Sequence, residues 1–139
     1  MNISDRTVTE NEWNNIYADL ERILTKNGVP PFKEERHRLV IDENGEIIGV
    51  ADGWTNHKWF YFATLWVREE YRGQGLGSKL LVMLEEKLKE TGIEHIYLWT
   101  SGYINPKFCE KHGYNLFTVF ENLYEVEGYH HMGYRKDLV

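Results

Sequence analysis

The chain has 139 residues, a formal net charge of −6, 42% hydrophobic content and a 14% aromatic share. That length and apolar content suit one domain over residues 1–139 with its own core, and they exclude a disordered chain. The acidic balance argues against sequence-independent nucleic-acid binding, and a lone cysteine, Cys109, excludes an internal disulfide.

Met1 to Glu12 are polar, without the apolar core of a secretory leader, and no apolar run approaches the length of a membrane span. A cytoplasmic protein that engages neither membrane nor nucleic acid is expected. Thr9-Glu10-Asn11-Glu12 has capping-box spacing, with Thr9 at the N-cap and Glu12 three residues on. Trp13, Ile16, Tyr17, Leu20, Ile23 and Leu24 then recur at helical spacing, which predicts a helix with one apolar face packed in the core. Gly28 and Pro30-Pro31 end it. Arg38 to Asp42, the turn Asn44-Gly45 and Glu46 to Trp54 predict a β-hairpin. Trp59 to Val67 predicts the next strand.

The stretch after that strand is the most informative. Glycines at 73, 75 and 77 let backbone N–H groups converge without Cβ obstruction. The helix that follows, with Leu80, Leu81, Leu84 and Leu88 on one face, adds its free first-turn N–H groups and the positive end of its dipole. The combination predicts a site for a phosphate or pyrophosphate. A dinucleotide fingerprint requires glycine where Ser78 stands, and the Walker spacing is absent. What remains is Arg-x-x-Gly-x-Gly, read at Arg72, Gly75 and Gly77. Farther on, Gly92 ends the helix and His95 to Thr100 predicts a strand. Asn105-Pro106 is a cap followed by proline at the first helical position, and Gly113 ends that short helix. Tyr114 to Asn122 and His130 to Lys136 predict a closing antiparallel pair.

Strand, Arg-x-x-Gly-x-Gly and helix together resemble the coenzyme A loop of the GNAT superfamily, the Gcn5-related N-acetyltransferases. Phe108-Cys109-Glu110-Lys111-His112-Gly113-Tyr114 is similar to that family's Phe-Tyr-Glu-Lys-x-Gly-Phe/Tyr, and Arg135-Lys136-Asp137-Leu138 to the last strand of a bacterial subgroup. The resemblance implies an α/β (mixed α+β) fold with a central mixed sheet of about six to seven strands and helices on both faces. It implies acetyl-coenzyme A as co-substrate, no metal, and a small-molecule or peptide amine as acceptor, attacked directly in a ternary complex. By the same resemblance, Leu65, Trp66 and Val67 hold the thioester and pantetheine arm. Arg72, Gly73, Gln74, Gly75, Leu76, Gly77 and Ser78 hold the pyrophosphate. Asn105 either contacts the pantetheine or only caps its helix.

Two departures bear on catalysis. Tyr61 stands where many relatives carry a glutamate base, and a phenol of ordinary pKa about 10 is a poor base at neutral pH. Cys109 stands where relatives carry the tyrosine that protonates the leaving thiolate. It reads either as that acid, its pKa lowered by the nearby helix start, or as a small buried apolar residue. Asp52 and His57 are further candidate proton acceptors or amine ligands. His112, His130 and His131 lack zinc spacing, and Tyr97, Trp99 and Tyr103 read as either core or acceptor cleft. With both acid–base positions changed, an acyl-coenzyme A-binding or sensing protein is the alternative. Exposed strand edges near the C-terminus also suit a homodimer.

Overall fold

The structure, a computed structural model, describes residues 1–31, 34–101 and 106–139. The chain forms two compact units, Met1–Phe32 and Lys33–Val139. In the first, helix α1 spans Glu10–Lys26 and starts as its sequence dictates. The Thr9 hydroxyl accepts from the Glu12 N–H at 3.1 Å, and the Glu12 carboxylate accepts from the Thr9 N–H at 2.9 Å. The Arg6 guanidinium, then those Thr9 contacts, pull the Glu12 carboxyl down to about 2. Trp13 stacks on Tyr17 at 5.5 Å, and Trp13, Ile16, Tyr17, Leu20, Ile23 and Leu24 recur along one face of this helix, as their spacing predicts.

The second unit is a six-stranded mixed sheet in the order β1-β2-β3-β4-β6-β5. Strands β1 (Arg36–Glu43) and β2 (Glu46–Asn56) are joined by Asn44-Gly45, both at positive φ (52° and 79°), as a two-residue hairpin turn demands. Strand β3 (Trp59–Val67) runs antiparallel to β2, and β4 (His95–Ser101) lies parallel to β3. Helix α2 (Leu76–Glu90) makes the crossover between them. Helix α3 (Pro106–Lys111) precedes β5 (Asn115–Phe120) and β6 (His131–Asp137), and β6 enters the sheet between β4 and β5. The core lies under α2, whose Leu80, Leu81, Leu84 and Leu88 are all at most 3% exposed and cluster with Phe60, Phe62 and Ile96. Each such side chain contributes roughly 1.5–3 kcal/mol by leaving water. Among the described residues, no helix is long and apolar enough to cross a membrane.

Candidate active site

Strands β3 and β4 begin as partners and then part. Their ladder runs from Trp59↔His95 to Phe62↔Leu98. Beyond it β3 stays paired with β2 as far as Val67↔Gly49, and β4 stays paired with β6 as far as Ser101↔His131. Each strand is therefore held on its outer edge while the inner edges separate. A bulge sits where they part: Gly53 pairs Phe62 and Asp52 pairs Thr64, which leaves Ala63 as the extra residue. Gly53 is required there, since a Cβ would stand 2.1 Å from the Tyr61 carbonyl oxygen.

The opening is a cleft of about 700 Å³. One wall is β3 from Phe62 to Val67, the facing wall is Leu98, Trp99 and Thr100, and Phe108, Cys109 and Tyr114 close the side toward α3. Its mouth is the glycine loop. Arg72 Nε donates to the Val67 carbonyl at 2.8 Å and folds the chain back after a 3-10 turn at Glu69–Tyr71. Gly75 (φ 80°) is the N-cap of α2, and no side chain caps that helix. Lys79 N–H bonds the Gly75 carbonyl at 3.0 Å, so the amides of Leu76, Gly77 and Ser78 precede the helical ladder and face the cleft mouth unclaimed by it. A Cβ on Gly77 would lie 3.9 Å from Phe108 and Val67, both cleft residues, so the missing side chain is part of the hollow.

Eleven residues singled out from sequence meet in this one cleft: Leu65, Trp66, Val67, Arg72, Gly73, Gly75, Leu76, Gly77, Ser78, Trp99 and Cys109. Gln74 lies in the loop but not on the cleft wall. Tyr61 is elsewhere, on the opposite face of β3 from Phe60 and Phe62. Its ring stacks on Tyr97 at 5.0 Å and meets Trp54 edge-on at 5.2 Å. Asn105 and Tyr103 lie outside the described residues. Asp52 is taken up by Arg38 at 3.0 Å and Arg36 at 3.5 Å, and His57 sits in the turn at the far end of β3 from the cleft. His131 stacks on Trp99 at 4.6 Å, and His130 accepts from the Asn122 N–H. Among the described residues, no group of three or more His, Cys, Asp or Glu is placed to hold a metal ion.

Burial, followed by the Glu110 charge, pushes the Cys109 thiol up to about 11. This corrects the expected lowering: α3 is six residues long, and its end effect is outweighed by desolvation of a 6% exposed side chain. Sequence reasoning also passed over Tyr114. It is 2% exposed, lines the cleft, and its buried hydroxyl has no hydrogen-bond partner among the described residues. Burial raises its pKa, with Glu85 and Cys109 adding to the shift, so the phenol stays protonated. A buried hydroxyl without a partner costs about 1–3 kcal/mol, which a ligand able to accept its proton would return. The Gly113-Tyr114 pair of the α3 motif carried the signal for it. On the other face, Trp59, Tyr97, Trp99, Phe117 and Arg135 line a second hollow of about 360 Å³, and Trp99 borders both cavities.

The sequence model of the Acetyltransferase (GNAT) family matches residues 6–114. The fold is similar to the crystal structure of an acetyltransferase from Bacillus cereus at a TM-score of 0.79, with 27% identity and 97% of each chain covered. An acetyltransferase of Agrobacterium fabrum is 29% identical over 82 residues, 59% of this chain and 60% of its own length. Blasticidin-S acetyltransferase of Streptomyces morookaense is 33% identical over 75 residues, 53% of this chain and 55% of its own. The chain thus spans little more than half the length of these two relatives.

Proposed function

This chain belongs to the acetyltransferase (GNAT) family, and we propose that it transfers an acetyl group from acetyl-coenzyme A to a primary amine of a small molecule or peptide. One observation carries the reading: the opening between β3 and β4 ends on an uncapped, glycine-rich helix start. A pyrophosphate accepts from the amides of that helix start, and a pantetheine arm fits the slot where the β3 edge facing β4 is no longer paired with it. Backbone N–H groups on that edge polarise the thioester carbonyl as an oxyanion site. The neutral amine nitrogen attacks the carbonyl carbon and gives up a proton to solvent. The C–S bond then breaks, and the departing thiolate takes up a proton from solvent.

A thiol near 11 yields its proton to an ordinary thiolate only uphill. Cys109 and the neutral Tyr114 hydroxyl therefore serve this step as hydrogen-bond donors to the sulfur. The amine arrives from the aromatic hollow on the other face, where Trp99 borders both cavities. Tyr61, held between Trp54 and Tyr97, backs the Tyr97 ring that lines this hollow and is not the base.

The test uses Gly77→Asp, because Gly77 has no positive φ and a carboxylate there repels a pyrophosphate without straining the backbone. Coenzyme A at ~100 times its dissociation constant stabilises the wild type by about 2.7 kcal/mol. Gly77→Asp loses that stabilisation and keeps its ligand-free melting temperature within a few degrees. An undiminished thermal shift in Gly77→Asp overturns the loop assignment. Thiol release with a panel of amines separates a transferase from a protein that only binds acyl-coenzyme A.

A further inference from the structure

The glycine loop and α3 are joined by one side-chain contact: Ser78 Oγ and His112 Nε2 lie 2.9 Å apart. Ser78 stands in the first turn of α2 and lines the cleft. His112 directly follows α3, with its ring against Phe108 at 4.7 Å and its carbonyl accepting from Lys136 Nζ at 2.8 Å. Lys136 in turn pairs with Glu85 of α2 at 2.7 Å. The imidazole is thus held by α2 and α3 and its backbone by β6, with one ring nitrogen on the Ser78 hydroxyl.

We propose that His112 is a positioning residue for the coenzyme's pyrophosphate, acting through Ser78 and taking up a proton as the ligand binds. Ser78 has one proton to donate. Without ligand, that proton suits a neutral imidazole accepting at Nε2. With a phosphate over the loop, the hydroxyl turns to donate to a phosphate oxygen, and its own oxygen then needs a donor. Nε2–H is the group in place to supply it. An imidazolium carries hydrogen on both ring nitrogens, so it supplies that proton without giving up a donor at Nδ1, and it adds a positive charge beside the anion.

The surroundings set the direction. Burial lowers the His112 pKa in the free protein, Glu85 of α2 raises it, and Lys111 of α3 and Lys136 of β6 lower it. A pyrophosphate adds negative charge and raises it again, so affinity increases as pH falls toward and below the ordinary histidine range. This inference rests on the coenzyme A reading.

The probe is dephospho-coenzyme A, whose pyrophosphate diester does not itself titrate near neutrality. Its dissociation constant, measured by calorimetry from pH 8 to pH 5.5, is expected to tighten by about tenfold in the wild type, equivalent to one pKa unit of linkage. His112→Gln keeps a donor toward Ser78 but cannot titrate, so its binding is expected to be flat over that range and within about threefold of wild type at pH 8. Ser78→Ala is expected to lose most of the slope as well. An unchanged slope in folded His112→Gln overturns the proposal. A full slope in Ser78→Ala overturns the route through the hydroxyl. Failure of the wild type to bind at any pH overturns the coenzyme A reading itself, and this inference with it. Binding with a normal slope in His112→Gln leaves that reading standing and removes only the role of His112.

Discussion

At the scale of single residues, the site is unusual at Cys109. It occupies the position where the family resemblance places a tyrosine, yet it is buried and its thiol is held near 11. Such a thiol is inert toward alkylation at neutral pH, because the thiolate is the nucleophile. Iodoacetamide is expected to label Cys109 only after unfolding. Cys109→Ala, with Tyr114 still present, is expected to cost between about tenfold and about a hundredfold in kcat, the scale of one hydrogen bond to a charged group in the transition state. Cys109→Tyr restores an acidic hydroxyl at the same position and is expected to retain or exceed the wild-type rate if it fits. A loss of a thousandfold in Cys109→Ala would mean that the thiol is the principal proton donor after all.

Among elements, the linkage of α2 to β6 is the sharpest case. Glu85 is turned into the core face of α2, 5% exposed, and Lys136 alone among the described side chains forms an ion pair with it. Lys136 also holds the end of α3 through the His112 carbonyl. Lys136→Met removes both contacts and leaves a buried carboxylate without its counter-ion. The expected loss is about 2–3 kcal/mol by urea denaturation, below the range for a fully buried pair because Lys136 keeps partial contact with water. Adding Glu85→Leu to that variant is expected to recover most of the loss, since the charge then no longer has to be buried. Two equally destabilised variants would show instead that the methylene packing of Lys136 is what matters.

For the whole molecule, the dependence of stability on pH just below the ordinary histidine range follows from two histidines. Burial lowers the pKa of both His37 and His112 below the unfolded value near 6.5. Above that value both rings are neutral, folded or unfolded, and they add no slope. Below it the unfolded chain takes up protons that the folded chain refuses, so stability falls with pH until the lower folded values are passed. The ligand-free protein is expected to lose denaturation free energy steadily between pH 6.5 and pH 5. His37→Gln is expected to flatten part of that loss without touching the cleft. An acid limb of the same steepness in His37→Gln would assign the loss to other groups.

Much of this molecule is written in neighbouring residues. The capping box at Thr9 and Glu12, the Asn44-Gly45 turn, the glycine loop and the leucine face of α2 all depend on contacts within a few positions. Backbone sterics and helical periodicity decide them before any distant segment arrives. What the tertiary structure decided concerns segments far apart in the chain. The entry of β6 between β4 and β5 and the parting of β3 from β4 depend on which strand edges find each other. The meeting of Ser78 with His112 spans 34 positions. The high pKa of Cys109, the orphaned hydroxyl of Tyr114 and the displacement of Tyr61 from the cleft are set by how much water each group keeps and which face of the sheet it takes. Burial is a property of the packed whole, so a local pattern could mark the leucine face of α2 but not the depth at which Cys109 and Tyr114 lie.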